Sequence, residues 1–352
     1  MESRRIYPSL DIMKFVMAML ILTQHISNEW AHCTGLAHAF FGLGNFAVPF
    51  FFACSGFLFF SKLNKLEPEE QKTYYRKWSV RLGKMYLVWS LIYFSFVFYG
   101  WAVNGFPQEK ILTYFHRALV FSTYATIWFL PALWVGVSVC YWLRRHCSRT
   151  VFWILILLLL VMGSSFGSYN EWICGWGEGI KSFHETYMQI FVTWRNGLFN
   201  GTPFVALGLI FTRNHPPKLT LPSLWKPFLG IVICGGGFLA EAFLITHFKW
   251  GNATDQGFMM FPSIYFLMYI LLACPVKEHT LWLHCRNLSM LIFLGQRLFL
   301  TAIPGILPQV WSESIKSLPT YIIFLLFVTI VLAFSVFIER MSEKHKVLKI
   351  LW

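Results

Sequence analysis

The residues in this chain best suited to chemistry lie inside apolar sequence. Positions 10–27 read LDIMKFVMAMLILTQHIS, a helix-length apolar run that carries Asp11, Lys14 and His25. His25 follows Lys14 by eleven positions, and at about 100° per residue that is three whole turns. The two side chains therefore share a face, about 16 Å apart along the axis. Asp11, one turn before Lys14, can pair with it. An imidazole has an ordinary pKa of about 6.5, so much of it is neutral near neutral pH and able to accept a proton. Glu29, one turn beyond His25, could orient the ring. A histidine at a membrane edge, bonded to backbone or water, fits the same positions, and helix geometry does not separate the two readings.

Further candidates follow along the chain. The run GNFAVPFFFACSGFLFF at 44–60 holds Pro49, Ser55 and Gly56. An interrupted helix can line a cavity, and small residues equally serve helix packing. Between Lys62 and Lys84 lies the main basic cluster. Its Arg76, Lys77, Arg81 and Lys84 can be brought to one broad helix face. Such a face suits phosphates, through charge and guanidinium hydrogen bonds, or acts as an ordinary anchor beside anionic lipid. Glu241 in LAEAFLI and Arg297 in FLGQRLFLT are intramembrane charges that need partners or water. Pairing with each other or with Lys14 would satisfy them. The eight cysteines form no CxxC and no ligand ladder with histidine, so no metal site is expected.

These residues have to be positioned by elements that live in lipid. Of 352 residues, 57% are hydrophobic, 19% aromatic and only 13% charged. Soluble domains carry about 25% charged residues, so a soluble globular protein and a disordered chain are both excluded. The net charge of +13 has no compact basic domain behind it, which argues against nucleic acid as a partner. Ten apolar segments are long enough to span, at 9–28, 40–61, 83–101, 118–142, 150–167, 197–212, 227–246, 257–274, 286–304 and 318–338. The sixth is short. The expected fold is all-α, a polytopic transmembrane helix bundle forming a single integral-membrane domain over 1–352. No cleavable signal peptide and no fused soluble domain are expected.

An even number of spans puts both termini on one side. Most of the 29 basic residues fall in loops on that side, among them Arg4, Arg5, Arg144, Arg145, Arg149, Lys218, Lys226, Arg340 and Lys344. The opposite side holds Lys110, Arg117, Lys181, Arg195, Lys249 and Lys316. This asymmetry predicts N-in and C-in. The longest outer loop, 168–196, carries Tyr169, Trp172, Trp176, His184 and Tyr187. Those rings suit an interfacial aromatic belt or stacking on sugars. Cys33 and Cys174 would share the outer side, where a disulfide between them is chemically allowed.

In order along the chain, these segments resemble the acyltransferase-3 family of bacterial inner-membrane acyltransferases. The shared features are Leu10-Asp11 with Lys14 and then His25, with ten residues between the last two, and the run from Gly44 through Leu58. They continue with the basic entry Arg81-Leu-Gly-Lys84-Met-Tyr86-Leu-Val-Trp89, the WFLPAL step at Trp128 to Leu133, Arg195-Asn196-Gly197-Leu198-Phe199 through Gly208, and Leu288-Ser289. The strict RxxR step before the third span is absent. Gln296 stands where many members have a histidine, which leaves more weight on His25.

The resemblance implies a membrane-embedded O-acyltransferase that takes an acyl group, most often acetyl, from cytoplasmic acyl-CoA. The acceptor would be a hydroxyl on a surface glycan or glycolipid. It implies His25 as the catalytic residue with Lys14 and Asp11 beside it, and Arg76, Lys77, Arg81 and Lys84 as the CoA-phosphate group. Ser55, Arg195, Glu241 and Gln296 would line the substrate, and no metal is involved. Membrane lipid is a partner, and the transfer would occur in this domain itself, in a homo-oligomer, or through a partner protein. A small-molecule transporter on the same fold is the competing reading, since a polar stripe into the bilayer also suits a permeation path. Reporter fusions in the Lys62–Lys84 loop are expected to score cytoplasmic; an outside signal there would invert the topology.

Overall fold

The computed structural model describes residues 7–34, 40, 42–213, 223–253, 255–274, 276–307 and 309–352. The basic residues Arg4, Arg5 and Lys218 lie outside the described residues. Helix α1, Pro8–Ile26, runs into a π-turn at Ser27–Ala31. A 3₁₀ turn at Gly42–Phe46 opens α2, Ala47–Leu63. Then come α3, Pro68–Val103; α4, Gln108–Val120; α5, Phe129–His146; α6, Arg149–Gly167; α7, Asn170–Cys174; and α8, Glu178–Phe191. A π-turn at Gly197–Gly201 leads into α9, Thr202–Arg213. The remainder is α10, Trp225–His247; α11, Met260–Ala273; α12, Thr280–Arg297, which ends in a third π-turn at Leu298–Ala302; α13, Gln309–Lys316; and α14, Thr320–Lys344. A last 3₁₀ segment covers Lys346–Leu351. No strand occurs among the described residues.

Eight of these stretches are long and apolar enough to cross a membrane, and Gly197–Thr212 and Met260–Ala273 are shorter apolar helices. All ten match an expected segment, and the chain is an all-α polytopic membrane protein. Several boundaries differ from expectation: α12 already starts at Thr280, α14 runs on to Lys344, and three further changes have visible causes or consequences. The third segment is the C-terminal part of a helix of 36 residues, about 54 Å long against a hydrocarbon core of about 30 Å. Most of the expected basic loop is therefore helix. The fourth segment begins at Thr126 rather than at 118, because the chain turns at Phe121–Tyr124, where the Tyr86 hydroxyl meets the Thr123 N–H at 3.1 Å. The eighth starts at Met260 because the N–H groups of Phe258 and Met259 are taken by the Glu241 carboxylate, at 2.7 and 2.9 Å.

The chain forms two compact units. One comprises Met1–Ala47, Val80–Trp128 and Glu278–Trp352; the other comprises Val48–Ser79 and Phe129–Lys277. In the first, α1 packs along α12 and α14 over Leu10, Ala18, Leu22, Leu291, Ile292 and Val331, all fully buried. Gly44 allows its segment onto α1, since a methyl there would stand 2.8 Å from the Leu20 carbonyl oxygen. Asn45 accepts from Gln24 Nε2 at 2.7 Å beside it.

The second unit is built on an aromatic α2, whose Phe50, Phe52, Phe57 and Phe60 are fully buried. Pro49 lies in the first turn of α2, where a missing N–H costs nothing, so the helix is not broken there. Gly56 is a packing residue: a methyl on it would meet the Val205 carbonyl at 2.3 Å, and one on Gly208 would meet the Ala53 carbonyl at 2.0 Å. Backbones that touch this closely are the usual basis of helix association in lipid. Around 168–196, Trp194 is stacked between Tyr187 and Phe166, at centroid distances of 3.7 and 4.6 Å. Its indole N–H donates to His184 Nδ1 at 3.2 Å. Burial holds the His184 imidazole below its ordinary value, which keeps Nδ1 an acceptor. Cys33 and Cys174 are free thiols, so no bridge joins them.

Gly208→Ala should cost about 2–4 kcal/mol, because the obstacle is backbone rather than a movable side chain. Gly83→Ala, with nothing within 4 Å of the added methyl, should leave the melting temperature in detergent unchanged or slightly raised. Thermal melts of the two variants beside the parent check this pair.

Candidate active site

His25 is half-buried near the end of α1. Its Nδ1 lies 3.0 Å from Gln296 Oε1, across 271 positions of sequence. Gln296 is fully buried, and its Nε2 donates to the Phe293 carbonyl at 3.0 Å. That bond fixes which end of the amide faces the ring. With the NH₂ group committed to Phe293, the oxygen is presented to His25, so Nδ1 carries the proton in the neutral ring and Nε2 holds the lone pair. Gly295 makes the approach of α12 feasible, since a methyl there would press on the Phe334 and Trp89 rings at 3.1 and 3.3 Å.

One turn beyond His25, Glu29 is held by Arg297 in an ion pair, with side chains 28% and 14% exposed. Glu29 is therefore the partner of Arg297, and the ring-orienting role expected of it falls to Gln296. Both helices change pitch at this level, α1 at Ser27 and α12 at Leu298; π-turns inside helices are frequent at functional sites. Trp30 ties the two turns together, its indole N–H donating to the Leu300 carbonyl at 3.0 Å. Tyr93 braces α12 from another side, donating to the Leu294 carbonyl at 2.6 Å and stacking on Tyr124 at 4.2 Å.

At the other end of α1, Lys14 Nζ lies 3.2 Å from Asp11 Oδ1, both side chains largely buried. This is the pairing that the spacing predicts. The pair is neutral overall, and Lys14 stands about 16 Å from His25 along the helix, so it does not touch the imidazole. Arg297 and Glu241, expected to pair with each other or with Lys14, do neither. Glu241 accepts from Tyr169 Oη at 2.6 Å as well as from the Phe258 and Met259 N–H groups. Burial first, and this carboxylate second, push the Tyr169 hydroxyl up, so it stays a donor. Glu241 is a structural anchor for the turn before α11.

The remaining candidates are dispersed. Arg76, Lys77, Arg81 and Lys84 are all exposed on α3, spread over one broad face as their spacing implies. Arg76 and Lys77 belong to the second unit, Arg81 and Lys84 to the first. Arg81 donates to the Trp352 carbonyl at 3.2 Å, a contact that no motif announced. Ser55 is half-buried on α2, and Arg195 pairs with Asp255 at 3.5 Å, both in the second unit. Burial pushes the Asp255 carboxyl up, and Arg195 partly offsets it. Among the described residues no group of histidine, cysteine, aspartate and glutamate is arranged to hold a metal ion.

The candidate site is thus an intramembrane imidazole held by a neutral amide, in a polytopic helical membrane protein. A family model described as an acyltransferase domain matches residues 7–338. The chain belongs to this acyltransferase-3 family. It is similar to a serine/alanine racemase of Enterococcus gallinarum, 26% identical over 254 residues, which is 70% of this chain and 34% of that protein. It is also similar to two amino-acid racemases of Enterococcus faecalis. One is 24% identical over 80% of this chain and 38% of that protein, the other 23% over 74% and 36%. The chain therefore spans about a third of the length of these curated relatives. No solved structure matches.

Replacing Gln296 by leucine preserves volume and removes both amide bonds. The ¹⁵N spectrum of imidazole-labelled protein, with His25 assigned by its loss in His25→Ala, should show the Nδ1–H tautomer in the parent. In Gln296→Leu that tautomer should give way to Nε2–H, the form a neutral imidazole favours when nothing accepts from Nδ1.

Proposed function

We propose that this protein is a membrane-embedded O-acyltransferase, and that His25 is its base. The donor is acyl-CoA, acetyl-CoA most often, on the cytoplasmic side where the termini lie. The acceptor is a hydroxyl of a surface glycan or glycolipid, and the membrane is the bacterial inner membrane. The observation that carries this reading is the His25–Gln296 contact with the amide locked on Phe293, since it puts the proton on Nδ1 and the lone pair on Nε2.

In this reading Nε2 takes the proton of the acceptor hydroxyl as its oxygen attacks the thioester carbonyl. The tetrahedral adduct collapses, the C–S bond breaks, and the imidazolium returns the proton to the departing CoA thiolate. Transient acylation of Nε2, followed by attack of the hydroxyl on the acyl-imidazole, uses the same atom. Gln296 stabilises either charged ring through the bond its oxygen accepts. Arg76, Lys77, Arg81 and Lys84 receive the CoA phosphates, with Arg81 exchanging its Trp352 carbonyl for a phosphate oxygen. Asp11 neutralises Lys14 until an anionic donor approaches. Four exposed cations beside an anionic leaflet also suit an anchor, so their role is decided by donor affinity.

A second reading is small-molecule transport. What favours it is that the matched stretch makes up about a third of proteins named amino-acid racemases, which suggests a free amino acid as passenger or as hydroxyl-bearing acceptor. Donor binding separates the two. An acyltransferase is stabilised by its donor, by about 2.7 kcal/mol at a hundredfold excess over Kd; a transporter is not.

The deciding experiment uses purified full-length protein in vesicles with a glycolipid extract and labelled acetyl-CoA. Transfer should fall by roughly 10²–10⁴ in His25→Ala, with melting behaviour and stabilisation by acetyl-CoA retained. Arg81→Ala and Lys84→Ala should raise the KM for acetyl-CoA and spare the rate at saturation. Full transfer by a folded His25→Ala variant would remove the base assignment, and the absence of any acetyl-CoA stabilisation would favour transport.

A further inference from the structure

Within the first unit, a line of contacts joins the basic face of α3 to the imidazole. Arg81, Trp89, Gly295, Gln296, His25 and residues 346–352 all belong to that unit. Arg81 is exposed, and Trp89, about 12 Å further along α3, is fully buried. The Trp89 ring packs against Gly295, where an added methyl would stand 3.3 Å from Cη2. The next residue, Gln296, holds His25 at 3.0 Å. The line therefore runs from an exposed guanidinium to the candidate site.

Residues 346–352 lie across the exposed end of this line. Helix α14 stops at Lys344, and His345, with φ −116° and ψ 87°, turns the chain into the 3₁₀ segment Lys346–Leu351. Two consecutive carbonyls then meet α3. The Leu351 carbonyl accepts from the Trp89 indole N–H at 3.1 Å, and the Trp352 carbonyl accepts from the Arg81 guanidinium at 3.2 Å. Among residues 346–352 only Leu351 is buried, while Lys346, Val347 and Lys349 are exposed. The hold on α3 is thus two hydrogen bonds and one buried side chain.

Both bonds are of a kind that acyl-CoA can replace. Arg81 meets a neutral carbonyl here, whereas a phosphate brings full opposite charge and oxygens in fork geometry. The Trp89 N–H can only donate, and its burial demands an acceptor once Leu351 leaves. The pantetheine arm of CoA carries amide carbonyls that supply one. The segment therefore offers α3 the same acceptors as the donor, without the donor's charge.

We propose that residues 346–352 are an autoinhibitory strap, which occupies the acyl-CoA path when donor is absent and is displaced by it. The inference rests on the reading of Arg81 as a receiver of the CoA phosphates. Apparent donor affinity is then the intrinsic affinity reduced to the fraction of molecules with the strap open. A strap closed in about nine molecules of ten weakens the donor about tenfold.

The test uses full-length protein in detergent with CoA as probe. It reads amide exchange over 346–352 together with the Kd for CoA. In the parent, CoA should raise exchange in this segment while stabilising the whole protein against heat. Leu351→Ser removes the buried anchor, and a variant lacking residues 351 and 352 removes both carbonyls. Each should exchange fast without CoA and bind CoA about tenfold more tightly than the parent. CoA binding that leaves exchange over 346–352 unchanged or slowed overturns the strap and retains the donor reading. So does parent-like or weaker CoA binding by both variants; weaker binding would assign Lys346 and Lys349 to the phosphates instead. If the variants do not fold, exchange in the parent decides alone. If CoA does not bind the parent or either variant, the donor reading and the strap fall together.

Discussion

A lipid bilayer offers no solvent to a charge, and this requirement governs the structure more than any single packing contact. Several ionisable side chains of the first unit that enter apolar sequence have a defined neighbour. Asp11 takes Lys14 within one turn of α1, and Glu29 takes Arg297 from α12. His25 takes the amide of Gln296. The last two contacts lie one turn apart on α1 and on adjacent residues of α12, so they act as a clasp that fixes the register of the two helices. Trp30, donating to Leu300, closes it one turn further on. Shifting either helix by one residue would leave an unpaired charge in lipid, which costs several kcal/mol. The polar groups that could do chemistry are thereby also the groups that set the packing.

The basic face of α3 follows a different rule. Its cations are exposed, so they do not need partners and impose no register. Positive charge on the side of the termini orients the chain whatever its spacing. The spacing of Arg76, Lys77, Arg81 and Lys84 becomes meaningful only because α3 continues as helix through this stretch instead of breaking at a loop. Residues 351 and 352 reach α3 at two places, the Trp352 carbonyl at the exposed Arg81 and the Leu351 carbonyl at the buried Trp89, 3.1 Å away.

Much of this was legible in the sequence where the physics is local. The Asp11–Lys14 pair and the His25 face follow from helical period alone, and each of the ten apolar segments falls on a helix, several of which run on beyond it. Gly56 reads as a packing residue because it is small within an aromatic run. The partners of His25, Glu29 and Glu241 were not legible, since they lie tens to hundreds of positions away and nothing in periodicity selects among distant polar residues. Glu29 was the natural choice to orient the ring because it is one turn off; Arg297, a stronger partner for a carboxylate, won it. Glu241 looked like an intramembrane charge in search of a cation. It is instead satisfied by two backbone N–H groups and a phenol, and that is also why the eighth segment starts late.

Gln296 is the instructive departure from the family pattern. Where many members have a second histidine, a glutamine has no proton to give or take at any relevant pH. Its amide has chemically distinct ends, and Phe293 occupies the donor end, so only the acceptor end can reach the ring. A histidine in that place could exchange tautomers with His25 and could become charged, and the pair would titrate as a coupled unit. The amide does neither. It sets the tautomer of the imidazole and offers its oxygen to the ring in both protonation states. A ring oriented this way depends on the rigidity of α12, and the residues bracketing Gln296 supply it: a glycine packed against two aromatic rings and an arginine pinned by a carboxylate.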